Sequence, residues 1–143
     1  MDNNVLNRLF RESRTVNYFS DKEVTDNLIK ELYDLTKMAP TAFNAQPARF
    51  LFLKSKEAKA KLKPFLSEGN IEKTMAAPVT VIVATDYDFY KLLHKTFPVA
   101  DVRGYFEGNQ PMIDATAFRN GTLSGGYLTI AARSLGLDVG PMS

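Results

Sequence analysis

The chain has 143 residues and 45% apolar content, enough for one domain with a single core. Eighteen Lys and Arg against sixteen Asp and Glu give a net charge of +2, which offers no case for nucleic acid or another polyanion. Without cysteine, and with His94 as the sole histidine, thiol catalysis, disulfides and His- or Cys-based metal centres are excluded. Residues 1–8 lack a signal-peptide pattern, and no apolar run is long enough to cross a bilayer. A soluble, cytoplasmic protein without membrane contact is expected.

Val5, Leu6, Leu9 and Phe10 recur at helical spacing and predict a short first helix. Residues 13–21 have no clean period and read as a loop. Thr25 is placed to cap a helix over 25–38, with Leu28, Ile29, Leu32, Leu35 and Met38 as its buried stripe. Pro40 ends that helix and opens a loop over 40–47. Phe50, Leu51, Phe52 and Leu53 predict a strand, and Ser55 caps a helix whose inner face carries Ala58, Leu62, Phe65 and Leu66. Residues 67–70 break that helix.

Residues 79–85 (VTVIVAT) are continuously apolar and β-branched, as in a strand buried on both faces. A short helix at 88–94 and a loop with Pro98 follow. Residues 114–135 predict a long helix. Gly121, Ser124, Gly125, Ala131 and Ala132 make it small-sided, able to approach a partner element closely. Gly136 is a C′ residue, and 137–139 begin another extended segment. Strands alternating with helices indicate an α/β or α+β domain, a single one over 1–143. Since a new segment starts just as the chain stops, it is expected to be the N-terminal part of a longer protein.

Four segments carry polar groups that packing does not demand. Arg14, Thr15 and Asn17 supply donors for an anion, or belong to a solvated loop. Thr41, Asn44 and Gln46 lie between prolines, where amides can meet a heterocycle edge or satisfy their own backbone. Asn70 and Lys73 share a face if a helical turn starts there; otherwise Asn70 is an N-cap beside an exposed lysine. Arg103, Tyr105 and Phe106 cover a flat ligand or close a core edge. His94, near a helix end, is expected to meet terminal carbonyls.

Taken together, these segments resemble the nitroreductase family. SRTVNYFS at 13–20 is similar to its N-terminal Arg-Ser-x-Arg-x-Phe signature. APTAFNAQPARF at 39–50 is similar to its Pro-Ser-x-x-Asn-x-Gln-Pro segment, and 117–142 looks like its long dimer helix and following turn. GN at 69–70 with KT at 73–74, APVT at 77–80 and AFRN at 117–120 resemble the malonic semialdehyde reductase branch.

The resemblance implies an α+β fold with a central mixed sheet flanked by helices, and a homodimer holding FMN at its interface. Arg14 and Thr15 inherit the phosphate and ribityl end, and Asn17 the flavin ring. Pro40, Thr41, Ala42 and Asn44 pack on the ring from the other subunit. Asn70 and Lys73 contact the pyrimidine edge. Many relatives carry a cation where this chain has Asn17, which leaves Lys73 as the matched charge there. No side-chain acid, base or metal is implied. NADH or NADPH donates the hydride, and a small aldehyde, nitro compound or quinone accepts it. Backbone N–H groups beyond the Gly-x-Pro-Met turn and distal basic residues would complete the family's site. Two other readings compete: a flavin-free, dimerising scaffold or fragment without catalysis, and a generic anion-binding domain.

Overall fold

The computed structural model describes residues 2–142; Met1 and Ser143, the ends of the expected domain, lie outside the described residues. Helix α1 (Asn3–Leu6) is capped by Asp2 and runs on as a wider π-type turn, Asn7–Arg11. Helix α2 (Asp26–Thr36) starts where the Thr25 hydroxyl accepts the Leu28 N–H at 3.2 Å. Strand β1 (Ala48–Leu53) is followed by α3 (Lys56–Leu62), which Ser55 caps by accepting from Ala58 N–H at 3.1 Å. Helix α4 (Glu68–Ala76), strand β2 (Thr80–Thr85), the short α5 (Leu93–Thr96) and the 25-residue α6 (Gln110–Ser134) complete the order.

The α+β class holds, but the sheet is not mixed among the described residues. β1 and β2 pair antiparallel, with Phe50 opposite Val83 and Phe52 opposite Val81. One face of this ribbon lies on α6. A Cβ on Gly121 would sit 2.8 Å from the Thr85 hydroxyl, and one on Gly125 would sit 3.7 Å from Val83. The small side of α6 therefore admits β2 of the same chain. β2 is not buried on both faces, since Val83 and Ala84 are exposed. Helix α6 covers only part of one face of the ribbon, so residues on both faces keep contact with solvent.

Two apolar clusters hold the fold. Phe89, Leu93, Val102, Phe106, Ile113 and Ala117 form the larger, around the first half of α6. Leu32 of α2 packs with Ala131 and Ala132 near the other end, joined by Phe52, Leu128, Leu137 and Val139. The α2 stripe is narrower than its spacing predicts. Leu35 and Met38 are exposed, whereas Thr36 is buried and returns its hydroxyl to Leu32 O at 2.7 Å. Phe65, expected on the inner face of α3, is also exposed.

Helix α6 begins four residues before the expected start. Asn109 caps it by accepting from Met112 N–H, and Pro111 fits its first turn, where a missing N–H costs no helical bond. It ends in a Schellman turn. Gly136 takes φ 87°, and Leu137 and Gly136 donate to Ala132 O and Arg133 O. Arg8 adds a donor at this end, Nε to Arg133 O at 2.8 Å, while Arg133 Nη1 reaches Leu9 O at 3.1 Å. These two bonds dock the N-terminal helix on the end of α6. No helix of the described residues is long and apolar enough to cross a membrane.

Candidate functional site

The chain's last described stretch, residues 139–142, brings two of the candidate segments together. Val16 N–H donates to Val139 O at 3.2 Å. A Cβ at Gly140 would lie 2.6 Å from Val16 O and 3.8 Å from the Thr15 methyl, so the backbones approach as closely as glycine permits. On the other side, Met142 S lies 3.5 Å from the Thr74 hydroxyl, which donates to Asn70 O at 2.7 Å. Residues 139–142 thus run between the 14–17 loop and α4. Arg14, Thr15 and Asn17 are exposed on one side, and Asn70 and Lys73 are half-buried on the other.

Arg14 keeps its Nη1 on the carbonyls of Arg11 and Ser13, at 2.9 and 2.8 Å, which fixes the side chain against its own loop. Asn70 is not an N-cap. It lies inside α4, its N–H on Ser67 O at 2.8 Å, so Asn70 and Lys73 do share a turn.

The 40–47 loop is a separate cluster. Ala42–Asn44 forms a single 3₁₀ turn. Three residues here adopt left-handed backbone: Phe43 at φ 53°, Asn44 at 48° and Gln46 at 44°. Such conformations cost about 1–3 kcal/mol each for non-glycine residues and persist where their surroundings hold them. Those surroundings are specific. Ala42 N–H donates to Asn120 Oδ1 at 2.9 Å, Asn44 Nδ2 to Thr96 O at 2.7 Å, and Gln46 Nε2 to Asn44 Oδ1 at 2.6 Å. Gln46 N–H reaches the Thr41 hydroxyl at 3.1 Å. Arg49 secures the exit, Nη1 on Gln46 O at 2.9 Å and Nη2 on Asp86 at 2.6 Å. The Phe43 ring stacks on Tyr105 at 6.1 Å and meets the edges of Phe97 and Phe106. The amides of this loop are therefore committed within the chain. Pro40, Ala42 and Asn44 are its exposed residues, with Thr41 half-buried between the first two.

The two clusters are anchored on different parts of α6. The 40–47 loop docks on Asn120, whereas the N-terminal segment docks on Arg133. Thirteen residues of helix separate those positions, about 20 Å along the axis.

Of the remaining candidates, Phe106 is fully buried core. Arg103 grips Asp101 through Nε at 3.0 Å and Nη2 at 2.8 Å, and these hydrogen bonds hold the Asp101 carboxyl down at about 2. His94 Nδ1 lies 2.9 Å from Lys91 O, as its place at a helix end predicts.

Two buried polar residues escaped the sequence reading. Lys59 is buried and donates to Met75 O at 2.9 Å and Ala77 O at 2.5 Å, at the C-terminal end of α4. Burial, and then the charge of Lys56, hold its pKa below the ordinary lysine value. Asn120 is the other. Neither is marked by its neighbours: Lys59 lies between Ser55 and Leu62 along its face, and Asn120 between Ala117 and Ser124.

A helical protein with a small antiparallel ribbon, organised on one long central helix, is the class this architecture defines. The nitroreductase family's sequence profile matches residues 11–143, and the chain belongs to that family. A relative from Burkholderia lata, provisionally named an NADH dehydrogenase/NAD(P)H nitroreductase, is 57% identical over 143 residues, all of this chain and 73% of its own length. Two solved structures share the fold. A protein from Staphylococcus epidermidis, provisionally described as an NAD(P)H:FMN oxidoreductase, superposes with TM-score 0.84 at 19% identity, over 99% of this chain and 72% of that one. A provisionally assigned nitroreductase from Exiguobacterium sibiricum, solved in complex with FMN, gives 0.79 at 19% identity, over 95% and 73%.

Proposed function

We propose that the protein is an FMN-dependent NAD(P)H oxidoreductase whose flavin sites are shared between two copies of the chain. The observation that carries this reading is the pairing of the 14–17 loop with α4 across residues 139–142. It offers a guanidinium, a hydroxyl, two amides and an ammonium in one region. That donor set fits FMN. Arg14 and Thr15 would hold the phosphate and ribityl end, Asn17 and Asn70 the ring edge, and Lys73 the pyrimidine side. When bound, FMN supplies the redox chemistry, taking a hydride from NAD(P)H and passing it to the substrate.

The separate anchoring of the N-terminal segment and the 40–47 loop supports a shared site. A loop anchored about 20 Å further back along α6 would serve the flavin of a second copy, with Pro40, Thr41, Ala42 and Asn44 acting as a group. The helix has a surface for that copy: Phe118, Leu123 and Tyr127 are 67%, 42% and 41% exposed. The chain's likeness to the Burkholderia lata relative supports NAD(P)H as reductant, and the FMN complex of the Exiguobacterium sibiricum protein supports the cofactor. For the substrate, the resemblance of residues 69–80 and 117–120 to the malonic semialdehyde reductase branch favours a small aldehyde over a nitro compound or quinone.

Residues of the chain contribute binding and charge. An ammonium at Lys73 favours the anionic reduced flavin over the neutral oxidised form. Unit charges ~4 Å apart at an effective dielectric of about 20 interact by about 4 kcal/mol. Charge delocalisation and solvent reduce this to roughly 1–2 kcal/mol, or roughly 20–40 mV for a two-electron couple. Lys73→Met is therefore expected to lower the flavin midpoint potential by that amount and to slow reduction by NAD(P)H. Spectroelectrochemistry on both proteins tests this. A potential unchanged within error removes Lys73 from the site, and a colourless dimer that takes up no added FMN removes the flavin reading itself.

A further inference from the structure

We infer that Asn120 is a positioning residue for the cofactor loop: its buried carboxamide, presented by α6, holds the 42–46 turn in the form in which it is seen, with Phe43, Asn44 and Gln46 left-handed. This rests on the flavin reading above for its functional meaning, and on geometry alone for the anchor itself.

The loop's own sequence disfavours its shape. Asparagine tolerates left-handed backbone, but a phenylalanine at φ 53° and a glutamine at φ 44° do not adopt it readily. Released from its contacts, the segment would relax to extended or right-handed backbone. Two of its restraints come from neighbours that are themselves short or irregular. Thr96, which accepts from Asn44, ends the four-residue α5, and Tyr105, which stacks on Phe43, lies in a single turn and is 62% exposed.

Asn120 is different. It sits midway along a 25-residue helix and is 8% exposed. Its Nδ2 donates to Thr116 O at 2.7 Å, one turn back on α6. That bond fixes the amide plane and turns Oδ1 outward to accept Ala42 N–H at 2.9 Å. The contact falls on the first residue of the 3₁₀ turn, immediately before the left-handed pair. It therefore sets where the chain enters the strained stretch. A loop that packs on a flat ring must present its atoms in one arrangement before the ligand arrives, and preorganisation of this kind appears directly as affinity.

Two substitutions separate the hydrogen bond from the volume that Asn120 fills. Asn120→Leu keeps the volume and removes the acceptor. Amide hydrogen exchange at Ala42 and FMN titration by fluorescence quenching are the readouts. In the unaltered protein, exchange at Ala42 is expected to be slowed about a hundredfold or more against an open amide. In Asn120→Leu that protection is expected to vanish and FMN affinity to fall about tenfold or more. Ala42→Pro deletes the donor from the loop side and leaves α6 intact. Thr41, at φ −135° and ψ 153°, already has the backbone that precedes a proline. It is expected to reproduce the loss of affinity.

Wild-type affinity in either Asn120→Leu or Ala42→Pro overturns the inference, as does retained protection of the Ala42 amide in Asn120→Leu. An unprotected Ala42 amide in the parent protein overturns it without any variant having to fold. If the parent itself takes up no FMN, the flavin reading fails while exchange at Ala42 still decides the anchor.

Discussion

Phe106→Ala is expected to destabilise the protein by about 3–5 kcal/mol, the range for truncating a fully buried aromatic residue. Phe106 has no exposed surface and sits at the centre of the larger cluster. Its ring meets the edge of Phe89 at 5.1 Å, lies near-parallel to Tyr90 at 6.4 Å and meets the edge of Phe43 at 6.2 Å. Alanine removes the transfer free energy of the ring and leaves a cavity whose walls are held by α6 and by the turn Phe89–Leu92. Because whole domains are stable by only about 5–15 kcal/mol, this one change consumes a large share. Urea denaturation reads it as a lower midpoint at unchanged slope. A loss below about 1 kcal/mol would mean that the cluster is not the core. The substitution also removes an aromatic partner of Phe43, so the 40–47 loop is expected to loosen with it.

Arg14→Ala is expected to weaken FMN binding about tenfold to hundredfold, as loss of a charge-assisted contact worth roughly 1.5–3 kcal/mol implies. Arg14 is exposed, and its recorded partners are carbonyls of its own loop, so the fold is expected to survive the change. The thermal midpoint should accordingly move little while affinity falls. Titration at fixed salt tests the assignment, since the contribution of an exposed cation is screened as ionic strength rises. Equal affinity in the two proteins would place the phosphate elsewhere.

The local sequence foretold those elements whose ends are marked by side chains. Thr25, Ser55 and Gly136 each cap the helix that their position implies, and the apolar run before Lys54 is β1. Where packing decides, the reading was less complete. Leu35, Met38 and Phe65 have helical spacing but no neighbour in the described chain to cover them. Lys59 reads as one of several surface lysines, yet the carbonyls that receive it belong to a different helix. The start of α6 was obscured by Pro111, which breaks a helix interior but suits a first turn.

For the site, residue types were legible and their grouping was not. Arg14 and Thr15 lie more than fifty positions from Asn70 and Lys73, and the segment that joins them, residues 139–142, is distant from both in sequence. The left-handed turn carries no glycine, and of its three left-handed residues only Asn44 is of a type that favours such backbone. It exists because Asn120, Thr96 and the aromatic cluster hold it.

The shared site is tested most directly by mixing two damaged chains. Arg14→Ala injures the 14–17 region, and Asn44→Gly injures the 40–47 loop by removing the bonds to Thr96 O and Gln46. Each variant is purified and titrated with FMN alone, then the two are co-refolded in equal amounts and titrated again. If every site takes Arg14 from one chain and the loop from the other, half of the dimers are mixed and each mixed dimer carries one undamaged site. About a quarter of all sites should then bind FMN with the parent affinity. If both groups serve the flavin of their own chain, every mixed site carries one defect, and no recovery of affinity on mixing would contradict the account.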